Sequence, residues 1–213
     1  MGQAISVDNL LKKRYTKLGF TGPWAEAFGQ PVLGGSWFIY GGSSNGKSSF
    51  VQQLTRYLAD LGLRVEYVAL EEGTEDTMKE AALKANWKSA GNKIKIREPL
   101  EFNDFVEVVG KNKSADVFIV DTIQYFGEEI RFKQYLNLRR NNPKKLFIYI
   151  SHINGRQPDG KAAIKVMRDS TLKIWIEGFR AISKGRYIGP KGYYTIWEKG
   201  AAKYWGEQQL KED

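Results

Sequence analysis

Cysteine is absent from the 213 residues, and histidine occurs once. Without thiols there can be no disulfide and no cysteine-ligated zinc module, so a metal would have to arrive with a ligand, and a cytosolic setting is compatible. No run of about 18 apolar residues is available to cross a bilayer, and the first residues lack a secretion signal's apolar stretch. The expectation is a cytoplasmic protein without membrane contact. Internal repeats and low-complexity tracts are also lacking. What remains, 42% hydrophobic and 27% charged, is ordinary for a globular chain long enough for one substantial core.

Acid is in short supply in one half only. The net charge is +9, yet residues 1–110 hold 13 Lys/Arg against 13 Asp/Glu, whereas residues 111–213 hold 20 against 11. Residues 131–168 contain ten basic residues against the single acid Asp159. A solvated helix face would give such a run, and so would a surface for a phosphate backbone, which needs charge of one sign. Nucleic acid is the partner to test.

Gly41-Gly42-Ser43-Ser44-Asn45-Gly46-Lys47-Ser48 fills the pattern G-x-x-x-x-G-K-[ST] without a mismatch. Glycines let such a loop wrap its N–H groups around phosphate oxygens. Lys47 adds a charge for the β and γ phosphates, and the Ser48 hydroxyl is placed to ligate Mg²⁺. Residues 36–40 read as the buried strand before the loop and residues 49–61 as the helix after it, which is the setting the motif requires. Gly41, Gly42, Ser43, Ser44, Asn45, Gly46, Lys47, Ser48 and Ser49 are the candidate nucleotide-binding residues.

Other strands are expected at 64–70, 93–97, 116–121 and 146–150, with helices at 74–87, 102–111, 128–141 and 162–168. The uninterrupted apolar run before Asp121 predicts a strand buried on both faces, and an acid at its end is where phosphate-loop enzymes hold Mg²⁺ through water, so Asp121 is the metal-side candidate. Ligands of open α/β sheets bind at the carboxyl ends of strands, which predicts that Glu71, Asp121 and His152 gather at one site. Residues 5–18 read as a basic amphipathic helix resting on a neighbour or the core. Residues 153–161 read as a mobile basic loop, and residues 171–197 as antiparallel hairpin strands. The last three residues are expected to fray.

The order of these motifs resembles the RecA-like ATPase core. It is most similar to the ATPase domain of bacterial RadA (Sms), with DnaB-type helicases a step further away. The resemblance runs from about Leu33 to Trp197. It rests on Leu33-Gly34-Gly35-Ser36, Tyr67-Val68-Ala69-Leu70-Glu71-Glu72-Gly73, Val120-Asp121-Thr122-Ile123-Gln124, Ser151-His152-Ile153, Met167-Arg168-Asp169 with Ile176-Glu177-Gly178, and Lys184-Gly185-Arg186-Tyr187. It implies an α/β fold with a mostly parallel central sheet flanked by helices and C-terminal antiparallel hairpin strands, residues 33–213 forming the core and residues 1–32 a helix and connecting segment. ATP with Mg²⁺ would be the cofactor pair, and hydrolysis the reaction. Glu71 would orient the attacking water and His152 would sense the γ phosphate, or else be only a satisfied core or surface residue. Lys184 and Arg186 would reach a neighbouring subunit's nucleotide in a ring or filament, or else be two exposed hairpin cations. Gly185 stands where the family has asparagine, and RadA's zinc module is excluded by the missing cysteines. The resemblance therefore points to a motor core alone.

Loops following the strands that lead to Asp121 and His152 line the channel in that family, which nominates Arg156 and Lys161 for single-stranded DNA backbone, with Tyr125 or Phe126 as stacking surfaces unless both are core. Three functions stay open at this point: a DNA-stimulated ATPase of recombination, repair or replication; a DnaB-type helicase core working with partner chains; and a regulatory ATPase or phosphotransferase with no DNA role.

Overall fold

The computed structural model describes residues 4–206, with backbone alone at 128 and 129, so the expected fraying of residues 211–213 lies outside the described residues. After a short helix α1 (Val7–Leu11) and α2 (Gly22–Phe28) come β1 (Gly35–Gly41), α3 (Lys47–Asp60), β2 (Val65–Ala69), α4 (Asp76–Lys84), β3 (Ile94–Arg97), α5 (Phe102–Gly110) and β4 (Val117–Asp121). The chain continues through α6 (Phe132–Asn141), β5 (Leu146–Ser151), the two-residue strands β6 (Ile153–Asn154) and β7 (Gln157–Pro158), and α7 (Lys161–Asp169). It then forms β8 (Leu172–Glu177), β9 (Arg180–Ser183), β10 (Tyr193–Thr195) and α8 (Glu198–Trp205). One eight-stranded sheet runs in the order β10-β9-β8-β1-β5-β4-β2-β3. All pairings from β8 to β3 are parallel, while β9 and β10 are antiparallel additions. This is the expected mostly parallel sheet with C-terminal antiparallel strands, except that β8 joins the parallel set through β1.

Strand alternation divides the core between the two faces. Trp37, Ile39, Ile119, Ile148 and Ile174 meet α2 and α3 on one side, and Phe38, Phe118, Val120, Phe147 and Tyr149 meet α5, α6 and α7 on the other. A polar chain ties α6 and α7 to β1: Ser36 Oγ and Tyr135 OH lie 2.6 Å apart, Tyr135 OH donates to Asp169 Oδ2 at 2.7 Å, and Arg139 pairs with Asp169 at 3.1 Å.

Several expectations need correction. The helix expected over 5–18 is five residues long, and Ile5, Val7, Leu10 and Leu11 are exposed. So short a helix is marginal without tertiary packing, and none of its residues is buried. The helix expected from 128 starts at Phe132, behind a 3₁₀ segment (Ile123–Glu129) broken where Gly127 takes φ 55°. Residues 153–161 do not form a plain loop: β6 and β7 pair antiparallel around Gly155 and Arg156. Gly155 takes φ 64° at the first central position of this two-residue turn, where a positive φ favours glycine. Helix α8 has no counterpart among the expected elements.

Candidate active site

The loop 41–46 leaves the carboxyl end of β1 and runs directly into α3. Gly41 tolerates no side chain, because a Cβ there would stand 2.3 Å from the Ile176 carbonyl oxygen of the neighbouring strand. Gly46 begins α3 at φ 91°, and no side chain caps the helix, so its first N–H groups point into the mouth of the loop. Asn45 fastens the loop to the turn after β8: its Oδ1 accepts from Gly178 N at 2.8 Å and its carbonyl from Phe179 N at 3.2 Å.

A cleft of about 430 Å³ opens over this loop and is lined by Lys47, Ser48, Glu71, Asp121, Thr122 and His152, among others. The sequence-predicted strand-end residues therefore do meet at one site. Lys47 Nζ makes long contacts to the carbonyls of Ser151, 3.3 Å, and Gly41, 3.4 Å. Burial lowers its pKa, opposed by the nearby Asp121 and Glu71 carboxylates. Asp121, at the end of β4, accepts a hydrogen bond from Tyr67 OH. Burial pushes the Asp121 carboxyl up to about 6 against the opposing effect of that hydrogen bond, and Glu71 adds to the rise. Glu71 Oε2 lies 3.3 Å from His152 Nε2, whereas Glu72 Oε2 accepts from Thr77 Oγ1 at 3.3 Å.

Among the described residues no group of three or more His, Cys, Asp or Glu could hold a metal alone. The donors suit a metal shared with a phosphate: the Ser48 hydroxyl and the Asp121 carboxylate are hard oxygen ligands. Thr122 Oγ1 beside them is buried with no hydrogen-bond partner among the described residues. That orphaned oxygen, the uncapped helix start and the Lys47 ammonium fit a phosphate with Mg²⁺.

Gln124 belongs to one of the sequence motifs without a role assigned to it there, and it is the bridge between two strand ends. Its Nε2 donates to Ser151 Oγ at 2.7 Å and to Asp159 O at 2.9 Å, while its Oε1 accepts from His152 N at 3.3 Å. It thereby links the cleft to the β6–β7 hairpin.

The residues nominated for DNA and for a neighbouring subunit are more scattered. Lys161 lines a depression of about 670 Å³ with Gln124, Arg131 and Lys165. Arg156, at the hairpin tip, shares a smaller one of about 160 Å³ with Lys184, Tyr40, Trp175 and Glu177. Lys184 and Arg186 are exposed and do not line the phosphate-loop cleft. Tyr125 is 55% exposed, but Phe126 is 1% exposed, edge-on to Phe102. Phe126 is core, so as a stacking surface it is corrected.

Neither a protein-family model nor a curated protein sequence matches the chain. Among solved structures, the flagellar accessory protein FlaH from Methanocaldococcus jannaschii is similar with TM-score 0.60 and 18% identity, covering 85% of this chain and 92% of that one. A KaiC-like protein from Pyrococcus horikoshii OT3 gives 0.59 and 19%, covering 85% and 98%. A third solved structure, an isolated ATPase domain, gives 0.51 and 11%, covering 74% and 79%. These likenesses show a RecA-like P-loop fold.

Proposed function

We propose that this chain is an ATP-hydrolysing RecA-like motor that assembles as an oligomer on single-stranded DNA and acts in recombination, repair or replication. The observation that carries the reading is the meeting of Lys47, Ser48, Glu71, Asp121 and His152 in one cleft above an uncapped helix start.

In this reading the loop N–H groups and the Lys47 ammonium take the β and γ phosphates, which replace the two long carbonyl contacts of Lys47. Ser48 and Asp121 would hold Mg²⁺, which when bound neutralises developing charge on the phosphate oxygens. Glu71 accepts the proton of the attacking water on a carboxylate oxygen, and a hydrogen on His152 Nε2 donates to Glu71 Oε2 and fixes the carboxylate's orientation. Gln124 carries a shift of the His152 backbone to the hairpin that presents Arg156. Lys161, Arg156 and the exposed Tyr125 supply backbone and stacking contacts to the strand. Lys184 and Arg186, lying outside their own cleft, serve a neighbour's nucleotide. The exposed apolar residues of α1 favour the same self-association.

The test is ATP hydrolysis with and without single-stranded DNA, paired with anisotropy of a labelled strand over a salt series. Turnover should rise with DNA. The Arg156→Ala, Lys161→Ala double variant should flatten the dependence of log affinity on log salt by about 1.4, at about 0.7 for each phosphate released. No binding by the wild type in the presence of an ATP analogue would transfer the chain to a regulatory ATPase without a DNA role.

A further inference from the structure

The opposite edge of the sheet carries a second cleft that this mechanism leaves unused. It encloses about 590 Å³ where β2, β3 and β4 begin, beside the end of α5. The phosphate loop sits at the carboxyl edge, so the two clefts are separated by the length of a five-residue strand, about 16 Å.

Strand alternation builds one wall. In Lys93-Ile94-Lys95-Ile96-Arg97, Ile94 and Ile96 line an apolar groove with α4, while Lys93, Lys95 and Arg97 line this cleft. Lys111 and Lys113, on the turn after α5, form the facing wall. That turn is held in place from both sides. Arg64 donates to the Lys113 carbonyl at 2.8 Å and to both Asp116 carboxylate oxygens at 2.7 and 3.0 Å. Lys145 Nζ donates to Ser114 Oγ at 2.7 Å and to the Ala115 carbonyl at 2.8 Å.

The internal charge balance is incomplete. Asp116 neutralises Arg64, and the buried Glu66 neutralises Arg97. Among the described residues no ion pair engages Lys93, Lys95, Lys111 or Lys113. Four ammonium groups on two ordered walls therefore line one cleft without a counter-ion among the described residues. No aromatic side chain lines it, so it has no stacking platform for unpaired bases. A duplex asks for no such platform, since its bases stack on one another and its closely spaced phosphates face outward.

We propose that this lysine cleft is a sequence-independent site for the phosphate backbone of double-stranded nucleic acid. It is separate from the Arg156 and Lys161 surface and does not depend on the single-strand reading. A chain holding a duplex at one edge of its sheet and hydrolysing nucleotide at the other keeps both sites open at once.

The test is anisotropy of a labelled mixed-sequence duplex with the full chain over a salt series. Three proteins are compared: wild type, a quadruple variant (Lys93→Ala, Lys95→Ala, Lys111→Ala, Lys113→Ala) and the Arg156→Ala, Lys161→Ala variant. Each duplex phosphate released contributes about 0.9 to the slope, so the quadruple variant should flatten it by up to about 3.6 and weaken duplex binding at least roughly tenfold. The Arg156, Lys161 variant should retain the wild-type duplex slope. An unchanged melting temperature checks the fold, and Lys95→Glu alone should weaken duplex binding in the same direction. No duplex binding by the wild type would overturn the proposal. So would an unchanged slope in the quadruple variant, leaving the lysines as charges that keep the edge strand β3 from pairing with another sheet. Lysine-dependent binding of polyglutamate without duplex binding would give the cleft to acidic polypeptides and overturn it as well.

Discussion

Glu71 and Glu72 are neighbours that line the same cleft, yet they are held by different partners: Glu71 by His152 across the cleft, Glu72 by Thr77 at the start of α4. Only the first is oriented by a group from another strand end. Glu71→Gln should keep nucleotide binding and lower turnover by roughly 10²–10⁴-fold, the range for a lost general base, while Glu72→Gln should change turnover little. Single-turnover hydrolysis of the two variants decides it, and the reverse ranking would move the base by one residue. Asp121 gives a prediction in pH. Its carboxyl titrates near 6 in the folded chain, above the usual carboxylate value, so between about pH 4 and 6 the folded state holds a proton that the unfolded state has released. Stability of the nucleotide-free, Mg²⁺-free protein therefore falls as pH rises through that window, and the penalty persists above it. Asp121→Asn should remove this slope and raise stability at neutral pH by about 1–3 kcal/mol in urea denaturation, while abolishing turnover. A variant less stable than wild type at neutral pH would contradict the assignment.

At the scale of the element, the segment after β4 separates core from surface within two residues, Tyr125 out and Phe126 in. Phe126→Ala should cost about 3–5 kcal/mol of stability, as deletion of a buried phenyl ring does, and leave the salt dependence of single-strand binding unchanged. Unaltered stability with lost DNA affinity would restore Phe126 to the surface. The same contrast marks what is readable in the sequence. β1, β4 and β5 announce themselves through apolar runs, because a strand covered on both faces favours apolar residues on both, whereas β2 carries the buried Glu66 within it, paired with Arg97. The phosphate loop is equally legible, since its chemistry fixes residue types at fixed spacing. The inward turn of Phe126 is not, because it follows from where Phe102 and Phe105 of α5 stand, far along the chain. The bridging role of Gln124 is hidden for the same reason: its partners Ser151 and Asp159 come from another strand and its hairpin. The hairpin itself has a local signal in Gly155, which can take the positive φ of a first central turn position, but the basic, turn-rich composition of the segment masks it as a plain loop.

At the scale of the whole molecule, charge that cancels along the chain separates in space. Acids of residues 71–80 lie at and beyond the carboxyl end of β2, whereas Lys93 and Lys95 lie at the opposite edge of the sheet, so a neutral first half supplies both acids to the phosphate-loop mouth and two of the four lysines of the basic cleft. The second half adds the cations of the hairpin, of α7 and of the segment after β9, none of which lines the phosphate-loop cleft. In the proposed function that arrangement would give nucleotide, nucleic acid and neighbouring subunit separate faces. The single-strand and neighbouring-subunit roles proposed above depend on the first of these, the hydrolysis of ATP at the cleft over Gly41 to Ser48. Steady-state ATP turnover by the wild-type chain and by Lys47→Ala, with single-stranded DNA and Mg²⁺ present, tests it most directly. The expected result is wild-type turnover that a chelator abolishes, and turnover at background for a Lys47→Ala protein that melts as the wild type does. Equal turnover by the two proteins, or none by the wild type, would contradict it.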